Sequence, residues 1–370
     1  MDGYLRAEIS LSAIQHNIHL LRSCAPGVRL CPVVKANAYG HGIRQILGVV
    51  GQSADMLGVA ICSEAVALRE FGWQRPVVMF ATAGTSEVDS LGVLIVHDVT
   101  LTLTALQELP LLRDASAKAH RAAQVHIKID SGMSRSGVLP EKAVELFQAA
   151  RECDLIRVVG CYTHFACAEE PDKSVTLEQL RRFLAPIESI GGQHSMILHA
   201  ANSAATIDIP QTHLDMIRPG MAVYGYQPGD EMQHKLPLRP CLRLVAPVMQ
   251  LKDIQAGAAA GYGLTYRFEK DAKVALVPIG YADGYFRALS NKASMRVRGM
   301  DCPIRGRISM DQTIIEVTAV PDVKVGDQVE IISSDPAAPH SVDNLSRLAG
   351  TIPYEIVPRL GDRVRRVVVP

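Results

Sequence analysis

Lys35, Arg135, His164, Asn202, Ser203 and Arg218 are the residues whose types and placement can do chemistry together. Each lies at or just beyond a short apolar run, in the segments VVKANAYGHG (33–42), KIDSGMSRSG (128–137), YTHFA (162–166), HAANSAA (199–205) and IRPGMAVYG (217–225). Cations with a hydroxyl and glycine amides among them suit an anionic group, most simply a phosphate. Lys35 is the reactive candidate. At the tip of a buried apolar strand it loses hydration, and a nearby arginine disfavours its charge, so its pKa falls toward neutrality. A neutral amine forms an imine with an aldehyde. A strand-end lysine reaching into solvent is the ordinary alternative. Here the flanks from Asn37 to Gly42 are small and turn-forming, unlike a simple exposed terminus.

Such a cluster needs elements that bring distant segments to one place. Short apolar runs at 31–34, 56–60, 77–80, 93–96, 125–129, 157–162, 196–200 and 215–220 alternate with helix-period segments such as SEAVALREFG, PEKAVELFQAARE and LEQLRRFLAPIESI. Strands alternating with helices imply parallel pairing through crossovers, and eight such units predict a closed (β/α)8 TIM-type barrel over residues 1–235. Functional side chains of a parallel barrel gather where the strands end in βα loops. Leu11, Ile14, Ile18 and Leu21 predict an amphipathic helix from Ser10, with Ser12 and Gln15 as a capping box. From 236 to 370 the texture is mostly β, with one convincing helix at SVDNLSRLAG; MQHKLPLRP (232–240) marks the boundary. The first ten or so residues are candidates to pair with this β domain.

The chain has 370 residues, with 38 Lys+Arg against 38 Asp+Glu, which leaves no charge excess to attract nucleic acid or an anionic membrane. At 48% hydrophobic and 21% charged residues it falls outside the disordered class. The absence of a signal-like start and of a bilayer-length apolar run points to the cytoplasm, and the scattered cysteines to reduced thiols. Around Cys161, His164 and Cys167 zinc-site spacing is lacking, so no metal is expected.

The segment VVKANAYGHG resembles the pyridoxal phosphate lysine motif of the alanine racemases. KIDSGMSR, THFA, HAANSAA, RPGMAVYG, AGYGLTY, PIGYADGY, GRISMDQ and PYE follow in that family's order, so the resemblance covers essentially the whole chain. It implies a barrel followed by a β-rich domain, pyridoxal 5′-phosphate as cofactor, and interconversion of L- and D-alanine for the bacterial cell wall. It further implies that Lys35 holds the cofactor as an imine and is the base on the D-alanine face, with Tyr262 as the opposite base. A tyrosine needs positive neighbours for that work, and His164 and Arg218 are suited to it.

By the same resemblance Arg218 faces the pyridine nitrogen. Tyr39, Ser203, Gly220, Met221 and Tyr354 match phosphate-binding positions, with Asn202 and His164 also toward the cofactor. Arg135 matches the arginine near the phenolic oxygen and the substrate carboxylate, Lys128 a lysine carbamylated in many members, and Tyr281, Met310 and Asp311 the substrate entrance. The family's head-to-tail homodimer implies shared active sites, in which Tyr262, Tyr281, Met310 and Asp311 come from the partner chain. Ser136 stands where leucine is common in the family, and Pro219 where other residues are. Three other readings stay open: a racemase preferring serine or with broader specificity, a decarboxylase of similar fold, and a non-catalytic cofactor-binding protein. The β domain with Tyr262 weighs against the last.

Overall fold

The computed structural model describes residues 5–192 and 196–370. Contacts divide the chain into two compact units, one of Gln15–Ala36 with Leu47–Leu238, the other of Met1–Ile14, Asn37–Ile46 and Arg239–Pro370.

The first unit is a barrel. Six strands pair in parallel in chain order: Leu57–Val59, Val77–Thr82, Val99–Leu103, Ala123–Lys128, Ile156–Tyr162 and Ile197–His199. Arg29–Leu30 and Met216–Ile217 pair in parallel beside them. Backbone bonds close the ring at both seams. The Val34 amide donates to the Gly58 carbonyl at 2.8 Å and Gly58 to Pro32 at 3.0 Å, while Asp215 donates to Leu198 at 3.0 Å and Arg218 to Ala201 at 2.9 Å. Val77, Val78, Leu101, Leu103, Val125 and Ile127 are fully buried, because a barrel strand has side chains on one face and helices on the other.

Helices Cys62–Glu70, Pro140–Arg151 and Ser174–Ser189 occupy the segments whose periodicity predicts them. One expectation is corrected. The run VLIV at 93–96 is the end of helix Val88–Val96, and the strand follows it at Val99–Leu103. Leu91, Leu94 and Ile95 are buried while Val93 and Val96 are exposed, a helical stripe that a short apolar run conceals. The strand VTLTL is polar at alternate positions, yet its Thr100 and Thr102 are buried, and Thr102 Oγ donates to the Met79 carbonyl at 2.7 Å.

The second unit is mostly β. Its main sheet runs Met300–Pro303, Ser294–Val297, Gln328–Ile332, Leu242–Pro247, Arg6–Ser10 and Arg365–Val369. A three-stranded sheet joins Gln250–Ile254, Ala272–Val277 and Thr313–Glu316, and Ala259–Ala260 pairs with Tyr266–Arg267. The N-terminal strand lies antiparallel to Leu242–Pro247 and parallel to Arg365–Val369, burying Ala7 and Ile9. Ser10, rather than Ser12, caps the helix Leu11–Cys24, since its hydroxyl accepts the Ala13 amide at 3.2 Å. Helix Val342–Ala349 begins at Ser341, whose hydroxyl accepts the Asn344 amide, and ends at Gly350 in the left-handed region.

No helix among the described residues is long and apolar enough to cross a membrane. Phe147 on helix Pro140–Arg151 is fully buried. Phe147→Ala is expected to cost about 3–5 kcal/mol of stability, measured by denaturant unfolding.

Candidate active site at the barrel mouth

Strand ends place the candidate residues of the barrel. Lys128 is the last residue of Ala123–Lys128, His164 lies two residues beyond Ile156–Tyr162, Asn202 and Ser203 follow Ile197–His199, and Arg218 follows Met216–Ile217. Lys35 stands beyond Arg29–Leu30, after the last rung of the Val34–Gly58 pairing.

These groups act on one another electrostatically. Burial, and after it the Arg135 guanidinium, lowers the Lys35 amine below the ordinary lysine value, against an opposing pull from Glu64. Lys128 falls to about 8 through burial first and then Arg135 and Arg218, with Asp130 opposing and Lys35 adding to the fall. His164 is pushed down to about 3, first by burial and then by Arg218, Arg135, Lys128 and Lys35. The imidazole is therefore neutral near pH 7. It lends no positive charge, contrary to the sequence reading of His164 as a positive neighbour. Like charges crowded in a desolvated mouth favour an anion there.

Arg218 is buried, at 4% exposure, and its ordinary pKa drops to about 10 by burial. Nη2 donates to the carbonyls of Thr163 at 2.8 Å and Ala200 at 3.2 Å, and Nη1 to His199 Nδ1 at 2.9 Å. Since a guanidinium only donates, His199 Nδ1 accepts, and its Nε2–H must donate to His126 Nδ1 at 2.8 Å. His126 then carries its proton on Nε2, a buried atom without a hydrogen-bond partner among the described residues, against Gly160, where a Cβ would come within 2.4 Å of the ring. Burial and then Arg218 keep both imidazoles neutral, His126 near 3 and His199 well below its usual value. Tyr162 stacks on His199 with ring centroids 4.9 Å apart and lies under the Arg218 guanidinium at 5.3 Å.

Ser203 provides the polar cradle. Its hydroxyl accepts the Gly220 amide at 2.9 Å and the Ala222 amide at 3.4 Å. With both acceptor positions used, its O–H remains to donate to an anion. Met221 follows in the same turn, Met221–Tyr224. Asn202 Oδ1 caps helix Ser203–Asp208, accepting the Ala205 amide at 3.0 Å.

Sequence reasoning missed the residue that shapes the Arg135 loop. Asp130 Oδ1 accepts the amides of Gly132, Met133 and Ser134 at 3.1, 2.8 and 3.0 Å, and Oδ2 accepts Arg135 at 2.8 Å. Burial raises this carboxyl, but the four amide bonds outweigh it and its pKa is lowered. The Asp-Ser-Gly order at 130–132 is the available signal, since aspartate accepts from the amides that follow it in a turn. His126, Tyr162 and His199 carry no sequence signal that separates them from core residues, although Tyr162 opens YTHFA and His199 opens HAANSAA.

The remaining candidates belong to the second unit. Ala36, which closes its segment of the barrel unit, and Asn37, Ala38 and Tyr39 all have φ between 51° and 56°, a left-handed turn directly after Lys35. Each non-glycine residue there costs roughly 1–2 kcal/mol. Gly42 donates to the Asn37 carbonyl at 2.9 Å, and the Ile43 amide to Asn37 Oδ1 at 2.9 Å, which offsets part of that cost. Tyr39 meets Tyr354 edge-on with centroids 6.3 Å apart. Tyr281 donates its amide to the Ser309 carbonyl and Ala282 to that of Met310, so Tyr281, Met310 and Asp311 share one surface. Asp311 is held by Arg363 at 2.9 Å, which also bonds Asp283. The Tyr262 loop leans on the same segment, since a Cβ at Gly263 would meet the Arg307 guanidinium. Tyr262 and Met310 are 70% and 53% exposed.

Asp130→Asn turns an acceptor into an NH2 facing an amide donor, so the Arg135 loop is expected to loosen. Because the folded carboxyl titrates below its unfolded value of about 3.9, its contribution is fully present above that pH and fades as pH falls through the folded pKa. The stability gap between parent and variant should therefore be largest at neutral pH and shrink in acid, as urea unfolding at several pH values would measure.

Comparison with known proteins agrees over the whole chain. The model of the alanine racemase N-terminal domain matches residues 9–228 and that of the alanine racemase C-terminal domain residues 241–368. An alanine racemase of Desulfovibrio desulfuricans is 38% identical, covering 100% of this chain and 99% of its own, and one of Methanococcus maripaludis is 39% identical, covering 98% and 97%. The crystal structure of alanine racemase from D-cycloserine-producing Streptomyces lavendulae superposes with a TM-score of 0.93 at 33% identity, over 100% of this chain and 98% of its own. With both domain models matched in order, near full-length identity and a shared fold, the chain belongs to the alanine racemase family.

Proposed function

We propose that the chain interconverts L- and D-alanine with Lys35 and Tyr262 as its two acid/base groups. The observation that carries this reading is the desolvated Lys35 amine among Arg135, Lys128, His164 and Arg218 at the barrel mouth. The family works with pyridoxal 5′-phosphate, whose ring, when bound, accommodates the electron pair left on Cα as its proton departs. The residues present fit such a group. Ser203 offers an O–H with the Gly220 and Met221 backbone beside it, the cationic mouth suits a phosphate and a phenolate, and Lys35 has a lowered pKa for imine chemistry with an aldehyde. Tyr39 and Tyr354 add hydroxyls toward the phosphate in this reading.

Racemisation takes two groups, because a single base returns the proton to the face it left. From D-alanine, the neutral Lys35 amine takes the Cα proton and the Tyr262 phenol gives one to the opposite face. From L-alanine the roles exchange. Arg135 pairs with the substrate carboxylate. Lys128, with a pKa of about 8, has neutral amine available to add to carbon dioxide, releasing one proton and forming a carbamate that faces Arg135. Arg218, kept charged by neutral acceptors, presents a cation that does not give up its proton. Placed against the cofactor's pyridine nitrogen, Arg218 would keep that atom unprotonated and so limit transamination.

Tyr262, Tyr281, Met310 and Asp311 complete the site from a second copy of the chain, in a homodimer with shared active sites. Their exposure supports this reading. The enzyme acts in the cytoplasm and supplies D-alanine for peptidoglycan.

Incubation of the purified holoprotein with L-alanine in heavy water should yield D-alanine deuterated at Cα; absence of that product would overturn the assignment. Mixing Lys35→Ala with Tyr262→Phe chains should restore part of the activity that neither has alone, because some heterodimers carry one intact site. Equal inactivity after verified subunit exchange would refute the shared site.

A further inference from the structure

Lys35 leaves the barrel at an awkward point in the backbone. The pairing of the first two strands ends where the Val34 amide donates to the Gly58 carbonyl at 2.8 Å. Two residues on, Ala36 would be the next donor of a parallel ladder, and Ala60 the next acceptor. The Ala60 carbonyl is taken, however, because the Ala81 amide of the neighbouring strand donates to it at 3.0 Å. Ala36 has also entered the left-handed turn, with φ of 52°.

A side chain fills the missing acceptor. Glu64, the third residue of helix Cys62–Glu70, accepts the Ala36 amide on Oε1 at 2.6 Å. Its other oxygen accepts the amides of Ala60 at 2.8 Å and Ile61 at 3.3 Å. One carboxylate thus spans the loops that follow the first two strands and continues their pairing one step past the backbone ladder. Its charge also opposes the desolvation and the Arg135 guanidinium that act on the Lys35 amine, as Lys128 and His164 face the same group.

We infer that Glu64 is a positioning residue for Lys35: by holding the Ala36 amide to the end of the second strand, its carboxylate sets the direction in which the lysine enters the barrel mouth. This rests on the reading of Lys35 as the cofactor-bearing base. Neither oxygen of Glu64 is required to touch the cofactor or alanine. A glutamine cannot replace it, since one of its two ends would point N–H groups at an amide donor. An aspartate keeps the charge and two acceptors on a shorter stem, and recovers part of the geometry.

The test compares Glu64→Gln, Glu64→Asp and Lys35→Ala with the parent holoenzyme for kcat, KM, melting temperature and the visible absorbance retained after dialysis. Glu64→Gln should lose about 10- to 100-fold in kcat with KM changed less than about threefold, the range expected for a misplaced catalytic group. It should also lose cofactor faster on dialysis while its melting temperature stays within a few degrees, and Glu64→Asp should recover part of both losses. If Glu64→Gln does not fold, Glu64→Asp against the parent carries the same comparison. A glutamine variant with kcat and cofactor retention within about twofold of the parent overturns the inference. So does a loss of activity that only tracks melting temperature and that aspartate does not relieve. Lys35→Ala separates the two levels: if it keeps the parent's cofactor band and activity, the reading of Lys35 itself fails, whatever Glu64 does.

Discussion

A guanidinium buried at the end of a barrel strand has to be bonded without having its charge cancelled, and the arrangement around Arg218 depends on that constraint. Two carbonyls and an imidazole accept from it, all neutral, so the desolvation penalty is partly met while the positive charge persists. The consequence spreads inward. Accepting from Arg218 fixes the tautomer of His199, that fixes His126, and the close fit of His126 explains why residue 160 has no side chain. It also spreads across the mouth, where the same charge helps lower Lys128 and keep His164 neutral. A site primed in this way for an anionic cofactor is electrostatically uncomfortable without one.

The loops that deliver Lys35 and Arg135 solve a related problem. Both depart from regular structure directly beside the strands, and in both a single carboxylate gathers the amides that lose their partners. Asp130 does this within its own loop, taking four successive amides. Glu64 does it between loops, reaching from the start of a helix. Two cationic side chains are thus aimed by two anionic ones that are themselves spent on backbone, so little of the mouth's positive potential is neutralised by direct pairing.

The candidate site was legible in the sequence to the extent that its residues sit at strand ends in recognisable segments. Lys35, Arg135, His164, Asn202, Ser203 and Arg218 could be singled out because apolar runs locate strands and the following loops locate the mouth, whereas Lys128 came only with the family resemblance. The charge state of His164 could not, because it follows from neighbours that are 29 to 129 residues away along the chain. Nor could the capping role of Asn202, whose amide oxygen accepts from the helix that follows it. The fold shows the same division. Helix Pro140–Arg151 was readable from its stripe, whereas VLIV at 93–96 has the composition of a strand and becomes a helix because only one of its faces is buried.

By itself the sequence determined the alternation of strands and helices, the change of texture near residue 236, and the family, since hydrophobic period and ordered motifs are local properties of a chain. Tertiary structure alone decided which atoms accept from Arg218 and Ala36, which imidazoles stay neutral, and between which two strands, and in what register, the N-terminal strand lies. The physical reason is that burial, and hydrogen bonding between segments far apart in the chain, exist only once those segments have been brought together. Protonation states and lysine geometry are consequences of that assembly rather than of residue type.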